Sequence, residues 1–170
     1  MQPSTIQKLE EDYDEFPGMR ADGVSQSEID ELASQFGIPF PEDYQEFLRR
    51  YGGGQVGSSS VAGLRRWKFA ANMVWSVIEL TAHYRKQQYP GTDRWVVFSD
   101  DGCANPIGFD ELGRIWISDH NSYEFVCIEG SFEDWMRRWA FNLEPTRGEY
   151  IAQMKWPEEI LQKLRNRGSR

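Results

Sequence analysis

Along the first half of the chain, apolar residues recur with a period near 3.6; from Trp95 onward the period drops to two. Ser25-Gln26-Ser27-Glu28 has capping-box spacing, and Ile29, Leu32, Ala33 and Phe36 follow on one helical face, with Gly37 as the stop. A second helix opens at Pro41, the N1 proline, with Glu42 and Asp43 in the first turn. It carries Tyr44, Phe47, Leu48 and Tyr51 on its apolar face and ends at Gly52. Ser4 to Asp14 predicts a shorter helix capped by Ser4 and broken at Phe16-Pro17-Gly18. Gly52 to Ser60 predicts a flexible loop, followed by a strand over Val61 to Trp67. A helix over Ser76 to Gln87 places Val77, Leu80, Thr81 and Tyr84 on one face and closes at Pro90-Gly91.

Beyond that point Trp95–Phe98, Ile107–Phe109, Arg114–Ser118 and Glu124–Ile128 predict four short strands. Asp110-Glu111-Leu112-Gly113 and His120-Asn121-Ser122 supply turns too short for parallel crossovers, so the strands form an antiparallel meander. A helix from Ser131 follows, with Asp134 at the capping-box position and Phe132, Trp135, Met136, Trp139 and Ala140 along its face. A last short helix is predicted over Pro157 to Asn166. The expected class is α+β: a twisted antiparallel sheet of about four to six strands with helices packed mainly on one side. The expected division is an N-terminal extension over 1–24, a core domain over 25–143 and a C-terminal extension over 144–170.

Charge changes this picture more than composition does. The net charge is −8, but residues 1–46 hold twelve acids against two bases, and residues 93–135 hold ten acids with only Arg94 and Arg114. Such acidity disfavours nucleic acid and anionic membranes and favours a basic partner. No stretch reaches the roughly 18 apolar residues of a membrane span, and Met1 to Phe16 lacks the basic and apolar regions of a signal peptide. Cys103 and Cys127 are too few for a disulfide framework and are expected as reduced, partly buried thiols. These features predict a cytoplasmic protein, a monomer or weak dimer.

Candidate chemistry is sparse. Gly52-x-Gly54-x-x-Gly57 matches the dinucleotide fingerprint literally, yet a helix precedes it and Ser58-Ser59-Ser60 follows, so the spacing predicts a loop and no cofactor. Asp100-Asp101 and Asp119-His120 are the best metal or acid–base residues. Adjacent residues of an extended chain point to opposite faces, so each pair offers one ligand, short of the three that a metal site wants. Ser99, His120 and Asp119 could be drawn as a triad, but no nucleophile-elbow glycines surround Ser99. Cys103 with His120 makes a thiol pair only on paper, and His83 stands mid-helix with no neighbouring ligand. Arg65-Arg66-Trp67-Lys68 is the one basic–aromatic patch. In Arg114-Ile115-Trp116-Ile117-Ser118 the two isoleucines share a face and Trp116 points away. Either the sheet is covered on both faces or Trp116 is exposed as a binding hot spot.

The run Ile38-Pro39-Phe40-Pro41-Glu42-Asp43-Tyr44-Gln45-Glu46-Phe47-Leu48 through Gly52-Gly53-Gly54 resembles the "LPxDYxxFLxxxNGG" opening of the SUKH superfamily. Phe98-Ser99-Asp100-Asp101-Gly102, Ile107-Gly108-Phe109-Asp110, Gly113-Arg114-Ile115-Trp116, Asp119-His120 and Ser131-Phe132-Glu133-Asp134-Trp135 are similar to its later motifs, in the same order. Three departures stand out. Arg50-Tyr51-Gly52 lacks the usual Asn, Asn121 replaces an acid after the His, and Cys103-Ala104-Asn105-Pro106 interrupts a Gly-rich turn. That superfamily includes yeast cell-wall-assembly regulators and bacterial toxin-immunity proteins. The resemblance implies a non-catalytic α+β domain that binds another protein, in bacteria commonly a toxin module and often a nuclease.

Together these readings predict an immunity-type protein that neutralises a basic toxin domain by binding it, with no cofactor and no metal. Asp100, Asp101, Trp116, Asp119 and Glu124 come from consecutive strands and turns and are the expected partner surface. The alternatives are a regulatory scaffold of the same family and a small metal-dependent hydrolase using Asp100, Asp101, Asp119 and His120.

Overall fold

A computed structural model describes residues 1–68 and 76–145. The helix predicted over 157–166 lies outside the described residues. Helix α1 spans Pro3–Glu15, α2 Gln26–Phe36 and α3 Glu42–Tyr51. Strands β1 (Gly54–Val56) and β2 (Ser59–Val61) form a hairpin, followed by α4 (Val77–Lys86). Strands β3 (Val96–Asp100), β4 (Pro106–Phe109), β5 (Ile115–Asp119) and β6 (Glu124–Glu129) form the main sheet in that order, antiparallel throughout. Helix α5 (Phe132–Trp135) runs on into a π-helical turn, Met136–Ala140. The α+β class and the meander are as the periodicity predicts.

Local chemistry explains most boundaries. Ser25 and Ser76 each make a full capping box, with Glu28 and Glu79 returning the bond to the cap amide. Gly52 ends α3 in the left-handed conformation that a side chain resists. Three expectations are corrected. Helix α1 begins at Pro3 behind an uncapped Gln2, because a proline at the first position needs no amide partner; Ser4 is not its cap. The Gly52 to Ser60 segment holds the β1–β2 hairpin, and residues 62–67 are not a strand. Cys103 is exposed rather than partly buried, while Cys127 is intermediate and both thiols are free.

The core lies between one face of the sheet and α3 and α5. Phe109 meets Tyr44 at 5.2 Å, Tyr44 meets Phe132 at 5.0 Å, and Phe98 meets Trp135 at 4.9 Å. All five rings are fully buried, with Ile107, Ile115 and Ile117 completing the sheet side. The first pair is tilted and the other two meet edge to face, and aromatic packing of this kind adds about 0.5–1.5 kcal/mol per pair beyond area burial. It also fixes the strands beneath the helices, so the turns project from a rigid base.

The two edges of the main sheet differ. At β3, the hydroxyl of Thr81 on α4 accepts the Val97 amide at 3.0 Å and donates to the Val97 carbonyl at 3.2 Å. The Ala62 amide donates to the Phe98 carbonyl, and the Ser99 hydroxyl donates to the Ser60 carbonyl. Among the described residues no strand pairs with the far side of β6.

Candidate functional site

Two turns stand side by side at one end of the main sheet, where β3 ends, β4 begins, β5 ends and β6 begins. The β3–β4 turn is built by its aspartates. Asp100 Oδ1 accepts the Gly102 amide at 2.8 Å, and Asp101 Oδ1 accepts the amides of Cys103 (2.8 Å) and Asn105 (3.1 Å). In the β5–β6 turn, Asp119 Oδ1 accepts the Asn121 amide at 2.7 Å. These are Asx turns, the short side chain replacing a backbone carbonyl.

Asn105 fastens one turn to the other. Its Nδ2 donates to Asp101 Oδ2 at 2.8 Å, which turns Oδ1 toward His120. That oxygen accepts the His120 amide at 3.0 Å and lies 2.7 Å from His120 Nδ1. A carboxamide oxygen only accepts, so Nδ1 carries the proton in this contact. Neither Asn105 nor its bracing role emerges from sequence reasoning; the only signal is an Asn directly before Pro106 in a turn.

Asp100, Asp101, Asp119 and Glu124 therefore come together at this end. Asp119 and Glu124 are direct cross-strand partners, so their side chains leave the same face of the hairpin. Like charges opposite one another destabilise a sheet. Among the described residues none of these four carboxylates forms an ion pair, although acids elsewhere, such as Glu28, Glu46, Glu79 and Glu144, do. The local negative field reaches Tyr84, whose hydroxyl stands 3.5 Å from Asp100 Oδ2. Burial, then the charge of Asp100 and, more weakly, Asp101, pushes that phenol above its ordinary range.

Trp116 sits on the sheet face away from the core and reaches toward the opposite turn. Its Nε1 donates to Asp110 Oδ2 at 3.0 Å. It is half-buried, which neither reading of the sequence alone describes. The ring stacks on buried Trp95 (6.0 Å, 19°) and touches Phe125 at 5.5 Å. Trp95 fits there because Gly91 has no side chain: a Cβ would come within 2.5 Å of the indole. The guanidinium of Arg114 lies 5.2 Å above Trp116, and that of Arg94 lies 5.6 Å from Phe125. Asp110 holds this arrangement. Burial works to raise its carboxyl, but the Arg114 side chain, the Trp116 N–H and the amides of Arg114 and Leu112 outweigh it and lower the pKa.

The other candidates are dispersed or occupied. Arg65 and Arg66 pair with Glu28 and Glu79, and Trp67 is buried, so the basic–aromatic patch is neutralised. Gly54 lies within β1, not in a phosphate-binding loop. Among the described residues no three His, Cys, Asp or Glu side chains converge as metal ligands. No described helix is long and apolar enough to cross a membrane. A cavity of ≈ 370 Å³ lined by Glu10, Tyr13, Asp14, Arg20, Arg50 and Tyr51 contains none of the predicted site residues.

In comparison with protein families, the model described as SMI1 / KNR4 family (SUKH-1) matches residues 23–138. No curated protein matches the chain.

Proposed function

Because the chain belongs to the SMI1 / KNR4 family (SUKH-1), we propose that it is an immunity-type protein that binds a basic toxin domain in the cytoplasm and blocks it. The observation that carries this reading is the unpaired acidic end of the sheet. Asp100, Asp101, Asp119 and Glu124 stand on two turns braced by Asn105 and lack any ion-pair partner among the described residues. Asp100, Asp101 and Asp119 each serve their own turn, but the like-charge pairing of Asp119 with Glu124 opposes folding, and the negative field it leaves suits a use outside the fold. A basic surface, such as the substrate-binding face of a nuclease, would be steered there and would relieve the repulsion. Trp116, half-buried and propped by Trp95, supplies a preorganised aromatic on the opposite sheet face from Asp119 and Glu124, available to a partner that wraps the sheet edge.

Binding is favoured over hydrolysis by the same geometry. A metal site on Asp100, Asp101, Asp119 and His120 would compete with bonds already made. Asp101 is committed to the Cys103 and Asn105 amides, and His120 Nδ1 to Asn105. Co-expression of the chain with a toxin domain found by inspecting the genes around its own tests the proposal. A stable one-to-one complex and rescued growth are expected. Absence of both, or stoichiometric zinc or manganese lost on His120→Ala, overturns it.

A further inference from the structure

The main sheet is sealed on one side and open on the other. At β3 the backbone is taken up by Thr81 of α4 and by the Ala62 amide, so no further strand can join. At β6, apart from the Ser122 hydroxyl 3.3 Å from the Glu124 amide, the described residues offer nothing to the outward amides and carbonyls of residues 124–127. An open strand of this kind is a template for another chain, and folds ordinarily blunt it with lysine, proline or a bulge. Here the irregularity comes late. Ile115 pairs with Glu129 and Trp116 with Cys127, so Ile128 is the extra residue and Glu124 to Cys127 remain regular. No proline or lysine interrupts them. Tyr123 and Phe125 beside the edge are 76% and 37% exposed.

We propose that the toxin partner docks by adding an extended strand to β6, a reading that rests on the function proposed above. The chemistry of the edge selects the occupant. Glu124 shares a face with Asp119 and Val126, whereas Phe125 lies on the other face beneath Arg94. A segment alternating basic and apolar residues would set its cations against Glu124 and Asp119 and its apolar side chains against Phe125. A second copy of this chain pairing through β6 would instead bring Glu124 and Asp119 close to their own counterparts. The same acids thus discourage self-association and favour a basic strand.

The test is amide hydrogen exchange of the full chain, alone and in complex with the co-expressed toxin domain. Amides of residues 124–127 that point outward are expected to slow by about tenfold or more on binding. Proline replacements at Phe125 and at Val126 provide a second arm. Neighbouring residues direct their N–H groups to opposite sides, so one of the two removes an outward donor without breaking the ladder to β5. That folded variant is expected to bind about tenfold more weakly or worse. Phe125→Ala controls for loss of the ring that packs on Trp95 and Trp116. A complex that forms with β6 exchange unchanged overturns strand addition while leaving the toxin-binding function intact. A folded outward-proline variant with wild-type affinity overturns it as well. If no complex forms, both readings fall; if neither proline variant folds, the exchange measurement alone decides.

Discussion

Thr81 closes the β3 edge by serving Val97 twice, accepting its amide at 3.0 Å and donating to its carbonyl at 3.2 Å. One helix side chain thus stands in for a neighbouring strand, and both residues are buried. Thr81→Val keeps the shape but leaves a buried amide and a buried carbonyl unpaired. The expected loss is about 1–3 kcal/mol, read from the urea midpoint at unchanged slope. A variant as stable as the parent would show that the edge is sealed by other means.

Buried tyrosines divide by whether the hydroxyl has a partner. Tyr44 donates to the Ala62 carbonyl at 2.7 Å, whereas the buried hydroxyls of Tyr13 and Tyr51 have no partner among the described residues. Tyr44→Phe orphans a buried carbonyl and should cost about 1–2 kcal/mol. Tyr13→Phe and Tyr51→Phe should be neutral or stabilising by up to about 1 kcal/mol. Chemical denaturation of the three variants tests the ordering.

The acid side of the stability profile has a definite sign. Asp110 is held below its ordinary carboxylate range in the fold, as are Glu28, Glu46, Glu79 and Glu144. A group whose pKa is lower folded than unfolded contributes stability above its unfolded value. That contribution is lost as pH falls through the folded one. Asp43, raised by burial despite the Glu133 and Tyr44 amides, works in the opposite sense. The five lowered groups outnumber it, so the protein should lose stability as pH drops below about 4. Asp110→Asn should lose about 1–2 kcal/mol at pH 7 and show a shallower acid fall. Parallel pH profiles for the two proteins would contradict this.

The strongly periodic elements were legible in the sequence because their chemistry is local. Ser25 with Glu28 announces a helix start that forms as predicted, and the shared face of Val77, Leu80, Thr81 and Tyr84 finds the helix that Ser76 and Glu79 cap. The β1–β2 hairpin was not legible: Gly53, Gly54 and Gly57 with three serines have a loop's composition. Pairing there comes from tertiary packing, which buries Val56 and Val61 completely. The acidic end was legible as residues on neighbouring turns. The bond from Asn105 to His120, which joins those turns, spans fifteen positions and has no periodic signature. Nor does any local pattern show that Trp116 would turn its N–H toward Asp110 and lean on Trp95.

Trp116→Ala removes a half-buried ring together with its bond to Asp110. Fold stability should fall by about 2–3 kcal/mol, less than for a fully buried Trp. At a temperature where the variant remains folded, toxin dissociation should quicken by an amount equivalent to about 2 kcal/mol. Unchanged dissociation from a folded variant would place the outer sheet face outside the interface.

The central claim is that the unpaired carboxylates at the sheet end capture a basic partner. Its most direct test is the association rate of the toxin domain with the wild type and with the Asp100→Asn, Asp101→Asn, Asp119→Asn, Glu124→Gln variant, across a range of ionic strength. Steering by these charges predicts a wild-type rate that falls steeply with salt. The variant should associate about tenfold or more slowly at low salt, with a nearly flat salt dependence. Identical rates and identical salt slopes for the two proteins would contradict the account.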